Sequence, residues 1–75
     1  MESRKNYKIT ESYRNQAYFG IIRLDLYTNV WAWKGKIDFD TGPHSLFTNR
    51  TFNTAAQAED HMRQSARQCI DNRLG

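Results

Sequence analysis

The hydrophobic period of this sequence changes near residue 54, and that change constrains the fold more than any other feature. Before it, apolar residues alternate at strand spacing; after it, they recur every three or four residues, as on one face of a helix. Residues 54–57 (Thr-Ala-Ala-Gln) fit the S/T-x-x-E/Q capping box. In that motif Thr54 accepts from the Gln57 N–H, and the Gln57 side chain reaches back to the Thr54 N–H. The pattern predicts a group of strands followed by one C-terminal helix.

The predicted helix covers residues 55–73 and has a single apolar face. This face consists of six residues at helical spacing: Ala55, Ala58, Met62, Ala66, Cys69 and Ile70. Because three of the six are alanines, we expect the helix to lie close to the sheet. On the opposite side, Glu59 and Arg63 are four residues apart and form a predicted ion pair.

Residues 30–39 are the most regular predicted strand. One face is apolar and the other is polar, which is typical of a sheet with one buried side and one wet side. The apolar face contains Trp31, Trp33, Gly35, Ile37 and Phe39, and the polar face contains Ala32, Lys34, Lys36 and Asp38. The absent side chain of Gly35 is expected to make room for a bulky neighbour or for a close helix.

The preceding segment, residues 18–27, is also a predicted strand. It places Ile22, Leu24 and Leu26 on one face and its charged residues on the other. Residues 28–29 (Thr-Asn) separate the two strands by the length of a tight hairpin turn, and asparagine tolerates the positive φ that such turns require.

Two further segments are less regular. Residues 45–52 are a predicted third strand, in which Phe47 differs in parity from Leu46 and Phe52, and a bulge near residues 48–49 could reconcile them. Residues 7–10 fit either a fourth strand or an extended arm, and residues 1–6 are expected to be disordered. The predicted fold class is α+β: a two-layer domain with a three-stranded, or four-stranded, antiparallel sheet packed on one C-terminal helix.

Length and composition limit the classes of protein to consider. The 75 residues allow a single domain, and the net charge of +3 is compatible with a polyanionic partner without requiring one. The single cysteine, Cys69, excludes an intrachain disulfide and fits a reducing compartment. No apolar run reaches the roughly 20 residues of a membrane span, and residues 1–6 do not begin a secretory signal. We therefore expect a cytoplasmic protein with no membrane partner.

No set of residues predicts catalysis or metal binding. His44 and His61 have no metal-ligand partner at useful spacing, and structural zinc usually takes four ligands. No nucleophile, base and orienting group occur together. We therefore expect a protein that is not an enzyme and that has no cofactor and no metal.

The polar face of the predicted sheet is the candidate surface for a partner or a nucleic acid. Its predicted members are Arg23, Tyr27, Lys34 and Lys36, with Arg50 as a further basic residue. A merely solvated face is the competing interpretation, since Asp25 and Asp38 lie on the same side. Trp31 and Trp33 could stack on bases, but they share a face with apolar residues and are interpreted as core.

Phe19 and Ile21 also point away from the predicted core. On such a small domain they need a cover. The N-terminal segment with Tyr7 and Ile9 could fold over them, or a second copy of the chain could, which makes this apolar patch a candidate homodimer contact.

The strand-to-helix junction at residues 52–58 (Phe-Asn-Thr-Ala-Ala-Gln-Ala), which follows a tryptophan-containing strand, resembles that of plant ethylene-response-type and integrase arm-type DNA-binding domains. Those domains are three-stranded sheets backed by one helix, and they contact DNA from the open side of the sheet. In this chain Arg23, Lys34 and Lys36 would stand at the DNA-contacting positions. The resemblance implies a nucleic-acid partner.

The chain also resembles small bacterial proteins of unassigned activity. The shared features are a tyrosine-rich start (Tyr7 and Tyr13), a Trp-x-Ala-type strand at residues 31–33 and a Phe-x-Thr helix opening at residues 52–58. This resemblance implies a small sheet-plus-helix domain and no particular activity.

The function expected from the sequence is that of a small, non-enzymatic interaction module. It would act through the open face of its sheet on an unidentified protein partner or by self-association. The alternative is a nucleic-acid-binding module that uses Arg23, Lys34, Lys36 and Arg50.

The predicted helix cap is directly testable. Replacing Thr54 by alanine removes the cap acceptor and should lower the stability of the protein by about 1 kcal/mol. A thermal melt compares Thr54→Ala with the parent protein. An unchanged melting temperature would contradict a helix that begins after Thr54.

Overall fold

The computed structural model describes residues 6–74, which form a four-stranded sheet and one helix. The strands are β1 (Tyr7–Tyr13), β2 (Gln16–Asp25), β3 (Val30–Phe39) and β4 (Gly42–Phe47), and the helix is α1 (Ala55–Leu74). The strands are antiparallel and lie in the order β1-β2-β3-β4, so each pairs with its neighbour in sequence. The two-layer α+β prediction is confirmed, in its four-stranded form. The disorder predicted for residues 1–6 lies outside the described residues, except at Asn6.

The N-terminal segment is a strand rather than an arm. β1 pairs with β2 along its whole length, from Tyr7 opposite Ile22 to Tyr13 opposite Gln16. The turn between them contains Arg14 at φ 53° and Asn15 at φ 65°. Two successive residues at positive φ give a turn the twist that matches flanking antiparallel strands. The turn between the first two strands is therefore formed by Arg14 and Asn15.

β2 ends two residues before the predicted position, because Asp25 closes a longer loop. Its carboxylate accepts from the N–H groups of Tyr27 at 2.9 Å and Thr28 at 3.4 Å. Its carbonyl accepts from the N–H of Asn29 at 2.7 Å, and Asn29 has φ 60°. Leu26 and Tyr27 thus belong to the hairpin loop, and both side chains are exposed. Their predicted places on the two faces of a strand are wrong.

β4 is shorter than predicted and begins earlier. After Phe47 the chain leaves the sheet and pairs again only where Phe52 bridges Trp31. A regular continuation of the β3–β4 register would bring Arg50 opposite Trp31, so two additional residues are accommodated between the two pairings. Because the insertion is even, Leu46 and Phe52 both face the helix and Phe47 faces away. No one-residue bulge is needed to explain their parities.

The core lies between the helix and one face of the sheet. Its buried residues are Tyr18, Ile22, Trp33, Ile37, Phe39, Phe52, Ala58, Met62, Ala66 and Ile70. Trp31, Ala55 and Cys69 pack against this cluster while partly exposed. The predicted apolar faces of β3 and the helix are therefore confirmed, and Lys34 and Lys36 are exposed on the far side of the sheet.

The helix begins with the predicted cap, with one difference. Gln57 donates its backbone N–H to the Thr54 hydroxyl at 3.1 Å, as expected. The Gln57 side chain instead accepts from the N–H of Asn53 at 3.1 Å, one residue before the predicted donor. The difference still satisfies a backbone donor at the helix start, where N–H groups have no partner within the helix.

Two glycines pair directly across the centre of the sheet, Gly20 on β2 with Gly35 on β3. A Cβ atom added to Gly20 would lie 2.9 Å from the Cε atom of Met62, so the absent side chain makes room for the helix. A Cβ atom added to Gly35 would lie 2.8 Å from the backbone oxygen of Phe19. The space at Gly35 is thus needed by the neighbouring strand, and the helix contact occurs at Gly20.

The two glycines should tolerate alanine differently. The end of the Met62 side chain can move, whereas the Phe19 carbonyl is part of a paired strand. Gly35→Ala should therefore destabilise the protein by about 1–3 kcal/mol, and Gly20→Ala by less. Chemical denaturation of both variants measures the difference. A larger loss for Gly20→Ala would contradict this account of the packing.

Candidate functional site

Only one face of the sheet is covered by the helix. We call the other side the open face. Its middle consists of two rows of side chains that run across the strands: Lys8, Ile21, Lys34 and Phe47 in one row, and Thr10, Phe19, Lys36 and Ser45 in the other. The rows follow from the pairing register, because residues directly opposite each other in antiparallel strands point to the same side.

A groove of about 390 Å³ runs along β3 on the open face. Phe19 and Ile21 of β2 line one side, Phe47 of β4 lines the other, and Lys34 and Lys36 of β3 lie between them. The Phe47 side chain is 75% exposed. The groove therefore combines apolar walls with two positive charges, and its volume is in the range of small binding sites, roughly 300–1,000 Å³.

The open face is positively charged. Lys8, Arg23, Lys34 and Lys36 project from it, and none of the four forms an ion pair with another residue between 6 and 74. Lys8 instead places its ammonium group 4.6 Å from the centre of the Phe19 ring. Asp25 and Asp38 lie on the same face, so the positive charge of these four side chains is only partly offset.

Part of the predicted surface comes together in the structure. Lys34, Lys36, Phe19 and Ile21 meet at the groove, and Arg23 lies farther along β2, opposite Ala32. The sequence interpretation missed Lys8 and Phe47. The position of Phe47 on the open face could have been predicted, since its parity differs from that of its apolar neighbours. The position of Lys8 could not, because it depends on the register between β1 and β2.

The other predicted members lie elsewhere. Tyr27 is at the tip of the β2–β3 loop and is 99% exposed. Arg50 follows β4, and its guanidinium lies 5.6 Å from the centre of the Phe52 ring, which belongs to the helix side. Neither residue borders the groove, because Asp25 ends β2 before Tyr27 and the inserted loop carries Arg50 out of the sheet.

Tyr7 and Ile9, which were predicted to cover Phe19 and Ile21, lie on the other side of the sheet. Ile9 packs against the core on the helix side, and the Tyr7 hydroxyl donates to the Glu59 carboxylate of α1. Since successive residues of a strand point to opposite sides, the part of β1 that reaches Phe19 is Lys8.

A second cleft of about 400 Å³ lies on the helix side, between the loop after β4 and the start of α1. Arg50, Asn53, Gln57, His61 and Gln64 line it. His61 has a structural task, because its Nδ1 atom accepts from the buried Trp33 indole N–H at 3.1 Å. This hydrogen bond satisfies the one polar atom of a side chain that is otherwise surrounded by core.

The carboxylate of Glu11 links β1 to the helix through hydrogen bonds. One oxygen accepts from the Tyr18 hydroxyl at 3.0 Å, and the other accepts from Nε of Arg63 at 2.9 Å. Arg63 also forms the predicted pair with Glu59, at 3.2 Å. The hydrogen bond from Arg63 lowers the pKa of Glu11. Burial raises the pKa of Tyr18, and the hydrogen bond to Glu11 raises it further. These groups are engaged with one another across the sheet–helix interface.

Within residues 6–74, no three His, Cys, Asp or Glu side chains lie close enough together to hold a metal ion. No helix in the described part of the chain combines the length and apolar character needed to cross a membrane. Cys69 is a free, partly buried thiol that packs beside the core.

Comparison of the chain with protein-family models, with curated proteins and with solved structures finds no match. The resemblances to DNA-binding domains and to small bacterial proteins therefore stay predictions. The candidate site is defined by the geometry of the open face alone.

The Glu11 contact predicts a pH-dependent loss of stability. Glu11→Gln should lower the free energy of unfolding by about 1–2 kcal/mol at neutral pH, because a charged hydrogen bond is lost. The lowered pKa means that the stabilisation is fully present above the usual value of 4.5 and is lost as the pH falls through the lowered pKa. Urea denaturation across this range should show the variant and the parent protein converging in acid.

Asp71→Asn is the matched control for that measurement. Asp71 also pairs with an arginine, Arg14, at 2.9 Å, but both side chains are nearly half exposed. Exposed pairs contribute about 0–1 kcal/mol. A Glu11→Gln effect no larger than that of the control, or one independent of pH, would contradict the proposed role of Glu11.

Proposed function

We propose that this protein is a small, non-enzymatic binding module that recognises another protein through the groove on its open face. The observation that carries the proposal is the exposed apolar groove, whose lysines form no ion pair with residues 6–74. Phe47 is 75% exposed beside Phe19 and Ile21, although the described part of the chain buries ten other apolar side chains in its core. A partner would remove this apolar surface from water and provide charges for Lys34 and Lys36.

The lysines favour a partner of opposite charge over a second copy of the chain. Two open faces placed against each other would bring Lys8, Lys34 and Lys36 of one copy close to those of the other. Like charges at an interface cost several kcal/mol. Self-association through this face is therefore the weaker form of the proposal. The single cysteine is consistent with a cytoplasmic setting.

A nucleic acid is the second candidate partner. It is favoured by the combination of Lys8, Lys34 and Lys36 with the exposed Phe47 ring, because phosphates pair with cations and bases stack on aromatic rings. This candidate predicts a steep loss of affinity with added salt, since phosphate binding releases counterions.

A photo-crosslinking experiment tests the use of the open face. A photoreactive amino acid replaces Phe47 in the groove and, in a control protein, replaces the exposed Gln68 of α1. After irradiation in the native cells, we expect one or more protein adducts at position 47 that are absent at position 68. Mass spectrometry identifies the adduct, and nuclease treatment distinguishes a protein from a nucleic acid.

The proposal has a clear contrary result. Identical adducts at the two positions, or no adduct at position 47, would argue against the open face as the binding surface. A nuclease-sensitive adduct at position 47 would replace the protein partner by the second candidate. A crosslink only to a second copy of the chain would identify self-association.

A further inference from the structure

We infer that the groove recognises an extended acidic peptide segment in which an apolar side chain is flanked by carboxylates. The apolar side chain would occupy the space between Phe19, Ile21 and Phe47, and the carboxylates would pair with Lys34 and Lys36. This inference rests on the proposed function, since it names the kind of protein segment that the open face binds.

The order of charges along β3 carries the inference. On the open face this strand presents Ala32, Lys34, Lys36 and Asp38 in succession, which is one neutral position, two positive positions and one negative position. Alternate residues of a strand are about 6.6–6.8 Å apart, and an extended peptide has the same spacing. A complementary segment has an apolar residue over the groove and acidic residues two positions before and two positions after it, because only alternate residues of an extended chain point to the same side.

The walls of the groove define the anchor between those charges. Phe19 and Ile21 on one side and Phe47 on the other leave about 390 Å³ of open space. A phenylalanine side chain buries roughly 150–250 Å² of surface when it enters such a site. The lysine ammonium groups lie on long flexible stems, which pack along apolar surface while the charge reaches the rim. An apolar residue with acidic residues two positions before and after it, all on one side of the extended peptide, matches this arrangement.

A single-stranded nucleic acid matches less well for two reasons. Its phosphates recur at every nucleotide, so a strand that follows β3 past Lys34 and Lys36 meets the carboxylate of Asp38. The Phe19 ring is also contacted by the Lys8 ammonium, 4.6 Å from its centre, which leaves less of that ring for base stacking. A peptide can avoid Asp38 by its sequence, whereas a phosphate backbone cannot.

Fluorescence anisotropy with defined probes tests the inference. The first probe is a labelled peptide of about nine residues, roughly 30 Å long when extended, with acidic residues on both sides of a central phenylalanine. A second peptide replaces the phenylalanine by serine, and a third replaces the acidic residues by lysine. A labelled single strand of about ten nucleotides is the fourth probe.

The acidic phenylalanine peptide should bind about tenfold or more tightly than each of the other two peptides. The double variant Lys34→Gln/Lys36→Gln should reduce its affinity by about tenfold or more, and Phe47→Ser should do likewise. Arg67→Gln is the control, because Arg67 is an exposed cation of α1 beside Tyr13, on the helix side of the protein. It should leave the affinity unchanged.

Three results would overturn the inference. They are equal binding of the acidic and basic peptides, no binding of the acidic peptide at about 1 mM, and tighter binding of the oligonucleotide than of the peptide. Circular dichroism of each variant shows whether it is folded. If crosslinking at position 47 finds a protein partner while the acidic peptide does not bind, only this inference fails. If position 47 gives no adduct, the proposed function fails as well.

Discussion

A single helix cannot cover both faces of a four-stranded sheet, and the rest of this structure depends on how closely that helix approaches one of them. The helix has 20 residues and faces the sheet with Ala58 and Ala66, which are small enough for close contact. Met62 extends between them onto Gly20, where a Cβ atom would collide with it. Within residues 6–74 the fully buried side chains lie between the helix and this face, and no element covers the opposite face.

Long-range polar contacts hold the helix in this position. Near its middle, Arg63 pairs with Glu11 of β1, and near its end Asp71 pairs with Arg14 in the β1–β2 turn. Both contacts join the first hairpin to the last element of the chain. The carboxylates of Glu11, Glu59 and Asp71 on the helix side form ion pairs, whereas the lysines of the open face form none with residues 6–74. The open face is therefore the side of the protein whose charges are available to a partner.

Some elements could be predicted because their signal is local. β3 has its predicted bounds, since strict alternation over ten residues leaves one arrangement of faces. The cap at Thr54 and the apolar stripe of α1 could likewise be predicted, because each depends on residues that are close together in the sequence. The predicted ends of β2 and β4 were wrong. β2 ends early because the Asp25 carboxylate closes a loop, and β4 ends early because two inserted residues precede Phe52. Neither feature has a periodic signal.

The sequence by itself determined which side of each central strand is dry, because side-chain alternation is a property of one strand alone. Only the tertiary structure decided which residues become neighbours on the wet side. Lys8, Lys34 and Phe47 meet in one row because hydrogen bonding between strands sets their register, and register depends on the turns and on the whole sheet. The groove therefore depends on the register in which the strands pair. The separation of core from surface depends only on the alternation of apolar and polar residues along each strand.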